Sequence, residues 1–170
     1  AILFWQYLNI KANKQKNFFN ITREKFPYFF LIILLFLQII LGAFVSGLDA
    51  GKVYQTWPLM GLNYFPDDLQ IENFFNLLNF ENHSLVQFYH RNMAYLITLY
   101  IFLLGYFILK KNNRNLHLPL SILFGILFLQ ILLGVLTLKS NLNILIASAH
   151  QISRVILVLS ALNLYYSIIK

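Results

Sequence analysis

The chain has 170 residues, of which 59% are hydrophobic, 17% aromatic and only 11% charged, with no cysteine. Soluble domains carry about a quarter charged residues, so this composition excludes one, and its apolar load excludes a disordered chain. The missing thiols exclude a disulfide scaffold, thiolate zinc, iron–sulfur clusters and cysteine nucleophiles. The net charge of +7 sits between long apolar runs, which reads as membrane topology and not as nucleic-acid binding. The sequence predicts an all-α integral membrane protein whose first partner is the lipid bilayer.

The chain opens on a short apolar piece, AILFWQYLNI, too short to span. Residues 1–25 are read as the end of a preceding helix followed by a basic linker, which makes the chain a fragment or a half-length protein. Residues 26–170 form the membrane domain, with helices expected at about 27–48, 84–109, 116–138 and 144–169. Phe26 to Leu48 and Asn115 to Leu138 contain no charged residue, and each is long enough to cross a bilayer of about 30 Å. Pro27 and Pro119 suit the first turns of their helices, where a missing N–H costs little. The second and fourth spans each carry an arginine beside or one turn after a histidine: His90 with Arg91, and His150 with Arg154.

Lys11, Lys14, Lys16, Arg23 and Lys25 precede the first span, and Lys110, Lys111 and Arg114 follow the second. These clusters and Lys170 share one side, which the distribution of Lys and Arg assigns to the cytoplasm or matrix, with both termini there. Lys52 and Lys139 lie on the other side with most of the acids. The long loop between the first two spans therefore faces outward. Its stretch DLQIENFFNLLNF sets Ile71, Phe74, Phe75 and Leu78 at helical spacing, predicting a surface helix over about 68–80. It could gate a site or simply cap the bundle.

The sequence repeats itself. Leu37-Gln38-Ile39-Ile40-Leu41-Gly42 in the first span matches Leu129-Gln130-Ile131-Leu132-Leu133-Gly134 in the third, and each is followed by a helix with a histidine near its start. The bundle is thus two tandem two-helix units related by an axis along the membrane normal. His90 and His150 lie at one depth, roughly 9–10 Å below the outer ends of helices that run in the same direction. Two imidazoles presented this way suit bis-histidine heme ligation. Ala94 and Ala147, one turn from the histidines, and Gly42 and Gly134, on the other two helices, leave room beside such a flat group; the bland reading is close helix packing. Zinc is the rival metal, but it needs three or four ligands, and the spans offer no carboxylate or thiolate to complete a set. His83 and His117 read as interfacial residues.

Arg91 and Arg154 require an explanation, because an arginine inside a bilayer costs about 2.5–3.5 kcal/mol on the insertion scale. No acid lies deep in the spans to pair with them. A ligand's carboxylate, or an acid on a partner, is the expected counter-charge. Arg91 or Lys52 is expected to hold a heme propionate near the outer surface, and Arg154 to pair deeper.

The stretches GAFVSGLDAGKVYQTWPLM, NFF, LVQFYHRNMAYL, LQILLGVLTL and ASAHQISRVIL resemble the heme A synthase family, in its C-terminal four-helix half, from about Phe26 to Tyr166. The resemblance implies half of an eight-helix pseudo-symmetric architecture, with His90 and His150 ligating a resident heme b. It implies an oxidoreductase that converts the methyl group of heme O to the formyl of heme A for terminal oxidase. The substrate heme would sit in the N-terminal half, beside a glutamate three residues before its first histidine. Here that position is Gln87, so the catalytic residues are not identifiable in this chain. Implied partners are that missing half with heme O, a heme O synthase and a second copy of the chain; the implied location is a bacterial cytoplasmic or mitochondrial inner membrane. The lack of cysteine fits members without the outer-loop cysteine pair. The alternative reading is a stand-alone bis-histidine cytochrome b-type carrier.

Overall fold

The structure is a computed structural model, and it describes residues 1–68 and 74–169. Five α-helices follow in order: α1 (Ile2–Ala12), α2 (Phe26–Gly47), α3 (His83–Lys110), α4 (His117–Lys139) and α5 (Ile144–Ile168). The last four are long and apolar enough to cross a membrane, and no strand occurs among the described residues. All four begin and end within a residue of the expected bounds. The capping chemistry is visible at two of them. Asn82 accepts from Leu85 N at 3.0 Å ahead of α3, and Asn143 accepts from Leu145 N at 3.0 Å ahead of α5. At α2, Pro27 occupies the first turn.

Helices α2 and α5 form the central pair; α3 packs on α2, and α4 packs on α5. The two-helix units are therefore joined through their α2 and α5 members. Helices α3 and α4 meet where Gly105 faces Phe124. Both basic clusters fall at the same end of the bundle, as an even number of spans between them requires. There α1 folds against the end of α5. Trp5 packs on Phe18, Tyr165 and Tyr166 and donates to Lys16 O at 2.8 Å, while Lys16 Nζ reaches Tyr166 O at 3.0 Å.

The main apolar core cluster lies in this basic half, while the start of α3 buries Leu85, Val86, Gln87 and Arg91 under the outer loop at the other end. Leu31 to Leu35 of α2, Ile97 to Ile108 of α3, Leu116 to Leu127 at the start of α4, and Leu157 to Tyr166 of α5 supply the cluster's buried side chains. In the opposite half, residues 36–47 of α2, 128–139 of α4 and 144–152 of α5 contribute no fully buried residue. That half carries Gly42, His90, Gly134 and His150.

The outer loop is held at several points. Leu142, at φ 59°, turns the tight α4–α5 connection and presses on Gly51, where an added Cβ would meet Leu142 Cδ2 at 3.1 Å. Gln55 donates to Asn141 Oδ1 at 2.7 Å. The two outer connections are thus pinned to each other. Of the expected surface helix, the described part is one 3₁₀ helix, Phe74–Leu78, with Phe75 and Leu78 exposed; Ile71 and residues 69–73 lie outside the described residues.

A Cβ at Gly105 would meet Phe124 Cζ at 2.7 Å and Cε2 at 2.9 Å, so any larger residue must push α3 and α4 apart. Gly105→Val is expected to destabilise the bundle by about 1–3 kcal/mol in detergent unfolding followed by circular dichroism. Phe124→Ala in the same chain should recover part of that loss.

Candidate functional site

The two repeat units build the same local arrangement. Glutamine and glycine four residues apart stack on one face of a helix, and the histidine of the next helix packs between them. In the first unit, Gln38 Nε2 stands 3.2 Å from His90 Nδ1. A Cβ at Gly42 would lie 3.1 Å from His90 Cε1. In the second, Gln130 Nε2 stands 3.2 Å from His150 Nδ1, and a Cβ at Gly134 would again lie 3.1 Å from the ring's Cε1. The glycines make room for the imidazoles themselves. Sequence reasoning assigned that room to a porphyrin edge.

Arg154 joins the first cradle from across the bundle. Its Nη1 would stand 2.6 Å from a Cβ at Gly42, so the guanidinium of α5 and the imidazole of α3 converge on one point of α2. Among the described residues it has no carboxylate or hydrogen-bond partner. A half-buried, unpaired cation beside two imidazoles suits a group that carries an acid of its own.

Arg91 and Lys52 have other partners. Arg91 is buried and donates to three backbone carbonyls of the outer loop: Tyr54 O at 2.8 Å, Thr56 O at 2.8 Å and Leu59 O at 3.2 Å. Lys52 pairs with Asp49 at 2.7 Å on the exposed rim. Gln87, one turn before Arg91, also donates to Tyr54 O, at 2.8 Å, and its Oε1 is buried without a partner. These residues clamp the loop onto α3. Ala94 and Ala147 are partly buried beside the histidines, His83 is exposed, and His117 begins α4 with its Nε2 buried and unpartnered.

Among the described residues no third histidine, carboxylate or thiolate gathers with His90 and His150. The donor set is two imidazoles, short of the three protein ligands of a catalytic zinc site. The arrangement presents two imidazoles from two helices, each with a glutamine amide against both ring nitrogens, 3.2 Å from Nδ1 and 3.4–3.5 Å from Nε2, and a cation with no carboxylate partner among the described residues. Sequence reasoning missed the glutamines as ring contacts, although the repeated Leu-Gln…Leu-Gly hexapeptide marked their positions. It also missed Ser153, whose single hydroxyl proton lies within reach of Gln130 Oε1 and, at 3.1 Å, of His150 O.

A bundle of four membrane-spanning helices, built from a duplicated histidine-bearing two-helix unit, defines an all-helical integral membrane protein. The chain belongs to the cytochrome oxidase assembly protein family (COX15-CtaA), whose model matches residues 1–162. It is 40% identical over 167 residues to the heme A synthase of Pelagibacter ubique, a match covering 95% of this chain and 46% of that protein. It is 40% identical over 152 residues to the heme A synthase of Rickettsia felis, covering 88% and 44%. For Rickettsia canadensis the identity is 38% over 139 residues, covering 82% and 40%. The chain thus spans less than half the length of these relatives. No solved structure matches it.

Replacing Arg91 by leucine removes three hydrogen bonds from a charged donor, worth at least about 2 kcal/mol together. Proteolytic nicking between residues 54 and 59 is expected to rise roughly thirtyfold. Further along the loop, the Asp68 carboxylate accepts from Ser84 Oγ at 2.6 Å and Tyr54 Oη at 2.7 Å. Desolvation raises its pKa, but these hydrogen bonds outweigh it and hold the carboxyl below the ordinary 3.8. A depressed carboxyl stabilises the fold above its ordinary value and loses that contribution as pH falls through the lowered one. Pepsin cleavage of the loop should therefore step up only below pH 3.8, and Asp68→Asn should abolish the step.

Proposed function

We propose that the chain holds a heme b between His90 and His150 and forms the electron-carrying half of a heme A synthase. The supporting observation is the duplicated cradle: the same glutamine–glycine face meets one histidine in each unit, at matching 3.2 Å and 3.1 Å contacts. The residues fit the group. Both imidazoles come from helices that run in the same direction, beyond the main apolar core cluster. Arg154 supplies an unpaired cation suited to a propionate, while glycine at 42 and 134 keeps the rings free to orient.

When bound, a heme held by His90 and His150 would supply one-electron transfer. The chain's residues supply the rest. His90 and His150 hold, Gln38 and Gln130 stand against the two rings, and Arg154 neutralises. The Arg91 clamp keeps the outer loop over that end of the bundle, limiting water near the site. Nothing in this assignment gives the chain a catalytic acid. Gln87 stands where the resemblance places a glutamate in the substrate-binding half, and it binds loop backbone here.

Oxidation of the heme O methyl group to the formyl of heme A is accordingly assigned to the longer protein, with substrate heme in an N-terminal half and a heme O synthase as its supplier. The basic end of the bundle is placed on the cytoplasmic or matrix side, by the excess of Lys and Arg there.

A reduced-minus-oxidised spectrum of the purified chain tests the reading. Low-spin heme b bands are expected, lost or converted to high spin in His90→Ala and in His150→Ala. Their absence from the wild-type chain would overturn it. Conversion of heme O by the longer protein, abolished by the same substitutions, separates a synthase half from a stand-alone electron carrier.

A further inference from the structure

Each imidazole is met by a glutamine from the preceding helix, and the two glutamines are held differently. Gln38 Nε2 donates to the backbone oxygen of His90 at 3.0 Å as well as standing against the ring, and its Oε1 is buried with no partner. The Gln130 side chain makes no such bond to His150 O; its Nε2 stands 3.2 Å from the ring's Nδ1 and 3.4 Å from Nε2. Its Oε1 accepts from the Ser153 hydroxyl. Ser153 is buried and lies three residues after His150; three residues after His90 stands Met93, which has no hydroxyl.

An imidazole that gives Nε2 to a metal carries its proton on Nδ1, and that proton needs an acceptor. A glutamine amide can present oxygen in place of nitrogen by a half-turn that barely changes its shape. Gln130 can make that turn, because the Ser153 hydroxyl rotates from donor to acceptor and stays bonded to it. Gln38 cannot. The turn would break its bond to His90 O and set two oxygens against each other, which is costly in a buried place.

We infer that Gln130 and Ser153 are a positioning pair that orients His150 and strengthens it as an iron ligand, while His90 has no equivalent support. The two axial sides of the bound group are then unequal: His150 is the set ligand and His90 the adjustable one. This rests on the heme reading above.

The full chain, loaded with heme in detergent, is read by electron paramagnetic resonance in its oxidised state. The largest g value follows the orientation and donor strength of the two imidazoles, and heme content is recorded for each variant. Q130L and S153A should each shift that value at unchanged heme content. The double variant should shift it no further than Q130L alone, because both substitutions act through one contact. S153T, which keeps the hydroxyl, should restore the wild-type signal, and Q38L should move it less than Q130L. An unmoved signal in heme-loaded Q130L, additive shifts in the double variant, or a Q38L shift as large as Q130L's would each overturn the inference. If Q130L binds no heme, S153A against S153T decides it. A wild-type chain without any low-spin signal overturns the heme reading itself, which is a different result.

Discussion

An imidazole can lie close against a neighbouring helix only where that helix offers no side chain. At Gly42 and Gly134 even one methyl carbon would stand 3.1 Å from a histidine ring, so these two positions fix how α3 approaches α2 and how α5 approaches α4. The glutamines follow from the same geometry, since a residue one turn earlier on the same face also reaches the ring. Arg154 follows as well: the space above Gly42 admits both His90 and a guanidinium from the far unit. The site is thus a consequence of two missing side chains, repeated once.

The apolar core cluster at the basic end of the bundle gives that site its setting. Leucine and isoleucine interdigitate near the basic end, where Leu31, Ile101, Leu123 and Leu162 are almost wholly buried. Interlocking of this kind holds helix positions to within small tolerances. The histidines lie beyond it, in a region where helix separation is set by ring, glutamine and loop contacts.

The spans were legible because charge punctuates them. Lys25 and Asp49 bound the first and Arg114 and Lys139 the third, while the asparagine caps that start α3 and α5, Asn82 and Asn143, emerged only in the structure. The histidines, glycines and Arg154 were legible too, through the repeat and through the expense of a cation in a membrane. The partners of Arg91 were not. It was expected to meet a carboxylate, and it meets three carbonyls, which every residue possesses and which no side-chain pattern reveals. Gln38 and Gln130 were seen only as register marks, since a lone glutamine in an apolar run carries no sign of what it faces. The surface helix rested on spacing alone, and its described portion, Phe74–Leu78, is a single 3₁₀ stretch.

The loop clamp has a consequence for how the chain can diverge. A side chain that recognises only peptide oxygens is indifferent to which residues carry them. Between Tyr54 and Leu59 the backbone path is what Arg91 holds, and the identities of Gln55, Trp57 and Leu59 can drift without loosening that grip. One buried cation therefore lets the outer surface of the protein change its face while the lid beneath it keeps its place.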